Sequence, residues 1–316
     1  MLLNYKYIQQ LPSNVHLKIF CDEIITEEWI YLGALIVPYE IEEKLLHDLL
    51  NLRCGNPKRD WEWASCSPQC SYHKKNDTEV HYQEVEKSKN KFYVAQKWIK
   101  YILNDRNLTC FYILGIDLKR LNISLFGQSK QQNAIYNRFF RTAILKSLKI
   151  YFSRNSEIVA DSIYHDNNKG LETNQYFPWH SIFKIDKDAD KIKFSEKNIT
   201  FIDSDHRVSQ NAYSHLIQLI DLILGCTFCC LEYSTDNEDK IELANSFFPL
   251  IQRLIDYPNN EKSQYNYVGR MKIEFFPKYD IKKLDENSLE YKFKKMDAFY
   301  TKRYLKILEK NQTRLF

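Results

Sequence analysis

Val15-His16-Leu17-Lys18-Ile19-Phe20-Cys21-Asp22, then Trp29-Ile30-Tyr31-Leu32-Gly33-Ala34-Leu35-Ile36-Val37, decide the fold of this 316-residue chain. In the first stretch Val15, Leu17, Ile19 and Cys21 alternate with His16, Lys18, Phe20 and Asp22, the period of two that a strand requires. The second is a strong strand signal, and the short polar connection around Thr26 to Glu28 favours an antiparallel hairpin. Pro38 ends the hairpin, and Asp22 falls at the end of its first strand.

Outward from the hairpin the periodicity changes. Glu40 to Arg53 carries Ile41, Leu45, Leu49 and Leu52 at helical spacing. From about 54 to 90 the chain is polar, rich in Cys, His and Trp and without clear periodicity, as an inserted loop would be. Phe92 to Leu103 predicts a helix, Leu108 to Ile116 a strand ending at Asp117, and Gln131 to Phe152 a long helix. Ile158 to Ala160 predicts a short strand ending at Asp161, and Lys191 to Phe194 with Ile199 to Ile202 a hairpin-like pair. Leu216 to Gly225 reads as a buried helix, and beyond Thr235 the chain reads as helical and tyrosine-rich. The order predicts an α/β fold, a mixed sheet flanked by helices, with a core over 1–234 and a helical, basic extension over 235–316.

Composition narrows the function. Only 7 residues are Gly, and no Gly-rich phosphate loop is present, which argues against nucleotide-cradling folds. Net charge is +4, but residues 281–316 hold ten Lys or Arg against five Asp or Glu, so the remainder is slightly acidic. No run reaches the length of a membrane span and Met1 to Gln10 lacks a signal peptide's apolar middle, so the expectation is a cytoplasmic protein without a membrane partner. In that setting the 8 cysteines read as thiols or metal ligands, and Cys226, Cys229 and Cys230 as small core residues.

Asp221 stands out inside the apolar run from Leu216 to Gly225. A charge there must be neutralised, paired, hydrogen-bonded or bound to a cation. Ser214, Gln218, Asp221 and Gly225 follow steps of four, three and four and share one helix face. Asp22, Asp117 and Asp161 are each placed at a strand end, where open α/β sheets collect ligands. Asp117 has a local reading with Lys119, Asp166 is a substitute for Asp161, and Asp203-Ser204-Asp205 reads as a cap. Clustered carboxylates repel unless protonated or bridged, and Mg2+ or Mn2+ suits oxygen ligands beside a phosphodiester. Neither a Gly-x-Ser-x-Gly elbow nor a His-Glu-x-x-His helix competes with that chemistry.

Phe20-Cys21-Asp22-Glu23 with its hairpin, Glu79-Val80-His81, Val159-Ala160-Asp161 and Gln218-Leu219-Ile220-Asp221, in that order, resemble the domain of unknown function 3800 family. The resemblance spans Val15 to Cys226 and implies a ribonuclease H-like fold with metal-dependent nuclease chemistry. Carried onto matching positions, it implies Asp22, Asp161 and Asp221 as Mg2+ or Mn2+ ligands, Glu79 as a fourth catalytic acid, and His81 and Gln218 in support. Ile24 and Ile220 depart from the Ser and Ala of the family pattern, while every carboxylate is kept. The implied substrate is nucleic acid, with RNA, DNA and hybrid all open. Glu23 points opposite to Asp22 and reads as a surface or supporting group.

Two features stand apart. Cys54, Cys66, Cys70 and His73 include a Cys-x3-Cys-x2-His core with ligands soft enough for structural zinc, although the spacing is irregular. The basic terminus, with Lys292, Lys294, Lys295, Lys302, Arg303 and Lys306 among aromatics, suits either a nucleic-acid backbone or a solvated helix with an aromatic docking stripe. The alternative to an enzyme is therefore a catalytically silent module that binds nucleic acid or a protein, or uses its aromatics in a homo-oligomer.

Overall fold

A hairpin of apolar strands followed by an amphipathic helix buries both when the hairpin becomes the centre of a sheet and the helix lies across it. The computed structural model has this arrangement and describes residues 14–56, 70–104, 110–122, 132–167, 182–185, 189–232, 235–256 and 271–277. β1 (Asn14–Ile25) and β2 (Trp29–Pro38) pair antiparallel, with Ile19 opposite Ile36 and Asp22 opposite Gly33. β3 (Cys110–Asp117) pairs antiparallel with β2, and β4 (Glu157–Asp166) lies parallel to β1. β5 (Ile192–Phe194) and β6 (Ile199–Ile202) pair parallel with successive parts of β4, and β7 (Met271–Phe276) with β3. The seven-stranded sheet has the order β5-β4-β1-β2-β3-β7, with β6 also beside β4. Only β2 runs against the others.

Helices cover both faces, which is why β2 is buried continuously from Ile30 to Pro38. On one face lie α1 (Tyr39–Leu52), α3 (Lys89–Asn104), α6 (Ser214–Glu232) and α7 (Glu238–Asp256), sharing a core with Phe20, Leu35 and Phe111. On the other, α4 (Gln132–Phe152) packs Tyr136, Phe140 and Ile144 against Leu17, Ile19 and Tyr112. Short α2 (Ser71–Lys75) and α5 (His206–Ser209) flank the first face. By length and composition α6 would cross a membrane, but it is 94% buried within the fold, a helix apolar all round because protein surrounds it. Gly33 seats it: a Cβ there would lie 2.8 Å from Leu224, so the missing side chain lets helix and sheet close up beside Asp22.

The structure departs from the sequence expectations in five places. β1 continues past Asp22 to Ile25, and β4 continues past Ala160 to Asp166. The polar look of Ser162 to Asp166 hid a strand whose side chains are satisfied by distant partners: Ser162 bonds Glu196, Tyr164 stacks on Phe20, and His165 meets Glu23 and Tyr136. Residues 191–202 form no hairpin, because each strand takes its main-chain partners from β4. The described part of the insertion is integrated, with Val80, Tyr82 and Val85 in the core, and the described part of 235–316 includes β7, a strand of the central sheet. The basic stretch 281–316 lies outside the described residues.

Candidate functional site

Alternation along two parallel neighbours builds the site. In β1, Phe20 and Ile24 belong to the core on the α6 side, so Asp22 between them faces α6, while Cys21 and Glu23 face α4. In β4 the register sets Tyr164 beside Phe20 and His165 beside Cys21. One step further places Asp166 beside Asp22 on the α6 face. α6 brings Asp221 to the same point, at the carboxyl ends of two parallel strands where α/β sheets bind ligands.

Asp166 opposes ionisation of both other acids, and Asp221 opposes that of Asp22. Burial pushes the Asp22 carboxyl well above the usual carboxylate range, and the charges of Asp221, Glu23 and Asp166 push it further. Asp221 is also raised by burial, against the pull of His81 and the Tyr82 N–H, with Asp166 and Glu79 adding to the rise. Asp166 is raised by burial too, opposed by its Asn167 N–H bond and by His165 and His81. Asp22 and Asp221 are only 8% and 7% exposed, so little water is present to disperse the charge.

Asp221 and Gln218 organise the loop above the acids. The Tyr82 N–H donates to Asp221 Oδ2 at 2.6 Å, and His81 Nε2 lies 3.2 Å from Oδ1. His81 Nδ1 accepts from the Gln83 N–H at the start of the 3-10 turn Tyr82–Lys87, which leaves the ring proton on Nε2 to donate to Asp221. Gln218 Oε1 accepts from Val80 N–H and from Arg53, while its Nε2 donates to the Ser204 carbonyl at 2.5 Å. Glu79 accepts from the Ser204 hydroxyl at 2.6 Å. Gln218 thus joins the two loops that carry Glu79, His81 and Ser204.

Gly225, the fourth residue of the helix stripe, takes the Tyr82 ring: a Cβ there would lie 2.1 Å from the ring. Arg53 sits behind the same loop, fully buried, donating to the carbonyls of Asn76 and Thr78 and stacking on Trp98 at 4.7 Å. Among the described residues no carboxylate reaches ion-pair distance of Arg53, and burial lowers its pKa to about 9. Its sequence signal was present, since Leu45, Leu49 and Arg53 fall at successive steps of four on the buried face of α1.

Asp161 lies elsewhere. It occupies the bulge where the β1–β4 register shifts between Leu17 and Lys18, and it bonds His16 Nδ1 at 3.1 Å and Ser195 Oγ at 2.7 Å. At ~3.3 Å per strand residue it is roughly 15 Å from Asp22 along the sheet. Asp166 takes the place expected for Asp161. Asp117 serves its own turn, accepting from the N–H groups of Lys119 and Arg120. Asp205 caps α5.

Glu23 points away from Asp22 as expected, but it is buried rather than at the surface. Its side chain is 7% exposed, 3.2 Å from His165 Nε2 and within reach of the Tyr136 hydroxyl at 3.3 Å. His165 Nδ1 donates to the main-chain carbonyl of Asp166 at 2.9 Å. The Glu23 charge and these hydrogen bonds outweigh burial and raise the His165 pKa. No local sequence pattern marks this group, whose members come from β1, α4 and β4.

Cys54 Sγ and Cys70 Sγ are 3.9 Å apart, His73 is buried on α2, and Cys66 lies outside the described residues. Among the described residues no group of three or more His, Cys, Asp or Glu side chains is arranged to hold a metal ion. The carboxylates of Asp22, Asp166 and Asp221 are oxygen donors of the kind Mg2+ or Mn2+ takes, but they do not form a finished ligand cage. No protein-family model matches the chain, and no curated protein matches it.

Proposed function

We propose that this protein is a metal-dependent phosphodiesterase acting on nucleic acid, with a ribonuclease H-like domain of the kind the resemblance to the domain of unknown function 3800 family implies. The observation that carries the proposal is the placement of Asp22, Asp166 and Asp221 together at the carboxyl ends of β1 and β4, where the charges of Asp221 and Asp166 both oppose ionisation of Asp22. A meander of β1, β2 and β3 continued by parallel β4 is compatible with that fold. Bound Mg2+ or Mn2+ would supply Lewis-acid chemistry and a more acidic water. Asp22, Asp166 and Asp221 would hold the ion, replacing the set that includes Asp161. His81, tied to Asp221 through Nε2–H and partly exposed, is placed to hold or pass a proton at that nitrogen. Gln218 keeps His81 and Glu79 over the acids through Val80 and Ser204.

One observation favours a second reading. Asp221 and Gln218 already satisfy main-chain N–H groups of Tyr82 and Val80, which is a sufficient structural reason for burying them. On that reading the domain binds nucleic acid or a protein without turnover.

Cleavage of RNA, DNA and hybrid by the full chain in Mg2+ and Mn2+ separates the two. Asp166→Asn is expected to lose about 10²-fold or more, since even partners of metal ligands cost 10–100-fold, while Asp161→Asn retains the wild-type rate. Equal activity of Asp166→Asn and wild type overturns the assignment. Absence of cleavage by wild type, with salt-dependent binding that survives loss of the acids, supports the binding module.

A further inference from the structure

Cys54 lies two residues past the end of α1 and is 1% exposed, whereas Cys70 directly precedes α2 and is partly exposed. Their sulfurs are 3.9 Å apart although 16 positions separate them in sequence. A disulfide needs about 2.05 Å, so closing the bond requires an approach of roughly 1.9 Å between chain ends with no helix or strand of their own at those positions. The chain on both sides is already braced: Asn76 Nδ2 donates to the Arg53 carbonyl at 2.6 Å, and Arg53 donates to the Asn76 and Thr78 carbonyls. Cys21, Cys226 and Cys230 are fully buried, and burial holds their thiols well above the ordinary value, which makes them poor nucleophiles.

We propose that Cys54 and Cys70 form an oxidation site, a dithiol that a hydroperoxide converts to an intramolecular disulfide. The accessible Cys70 thiolate attacks the peroxide, the O–O bond breaks, and Cys70 becomes a sulfenic acid as hydroxide leaves. Cys54 sulfur then attacks Cys70 sulfur, the S–S bond forms, the S–O bond breaks, and water departs with the Cys54 proton. Two thiols lose two electrons and two protons, and hydrogen peroxide becomes two waters. The bond joins the end of α1 to the start of α2, beside the Arg53 contacts that hold the loop leading to His81. The assignment is independent of the proposed catalytic activity.

The test treats the reduced, full-length wild-type chain with a small excess of hydrogen peroxide, alkylates the remaining thiols and maps the peptides by mass spectrometry. The expected product is one Cys54–Cys70 linked species, lighter by two hydrogens, reversed by a dithiol reductant, with Cys226 and Cys230 still reduced. Cys70→Ser abolishes the link. Cys54 and Cys70 remaining alkylatable, Cys70 oxidising alone, or a link to another cysteine overturns the proposal. So does a stoichiometric zinc ion that shields both thiols until a chelator removes it. Mapping the wild-type chain makes the result independent of whether a variant folds.

Discussion

Replacing Asp22 with Asn removes a buried carboxyl whose neighbours Asp221, Glu23 and Asp166 all oppose its ionisation. In the unfolded chain an aspartate ionises near pH 3.9, but in the fold Asp22 holds its proton to higher pH. The raised folded value means that its stabilising contribution is complete below about pH 4 and is lost as pH rises toward the folded pKa. Across that window each pH unit removes about 1.4 kcal/mol from the metal-free wild type. Asn resembles the protonated acid in size and has no such proton to lose. The stability of Asp22→Asn relative to wild type therefore grows as pH rises above about 4, by at most about 1.4 kcal/mol per pH unit, until the folded pKa of Asp22 is passed. Urea unfolding in a chelator at several pH values between 4.5 and 7.5 measures the difference directly. His165, also raised, adds a loss in both proteins as pH climbs from about 6.5 through its own folded value, and this cancels in the comparison. Parallel wild-type and variant curves, or a variant that becomes relatively weaker with rising pH, would refute the account of a charge-coupled acid cluster.

Gly225→Ala places a methyl 2.1 Å from the Tyr82 ring, so the ring and its loop must move, at a cost of about 1–3 kcal/mol in thermal or urea unfolding. An unfolding midpoint equal to that of wild type would show that the loop yields freely. Arg53→Lys keeps the charge but cannot reproduce the guanidinium's simultaneous bonds to Thr78, His215 and Gln218, and is expected to destabilise by at least about 3 kcal/mol. A loss below about 1 kcal/mol would mean that a single ammonium satisfies the same buried acceptors.

β1, α1, α3 and α4 were legible from their own periods, two for the strand and 3.6 for the helices, while β2 and α6 were legible as continuous apolar runs. Asp221 was legible for a related reason: one ionisable residue in an apolar helix is an anomaly without any knowledge of its neighbours. The end of β4 was not. Ser162, Tyr164 and His165 look like loop residues until Glu196, Phe20, Glu23 and Tyr136 arrive from distant positions to satisfy them. Once the strand extends, Asp166 rather than Asp161 stands beside Asp22, so a difference of a few residues in one strand exchanges a member of the site.

By itself, then, the sequence determined the mixed α/β class and the presence of acids at a strand and a core helix, because hydrophobic period and local composition are properties of neighbouring residues. Tertiary structure alone decided the parallel pairing of β5, β6 and β7, the buried contacts of Glu23 and Arg53, and which acids meet. Those outcomes depend on partners brought together by chain closure over long separations, and a polar side chain becomes a core residue only when such a partner is there to receive it.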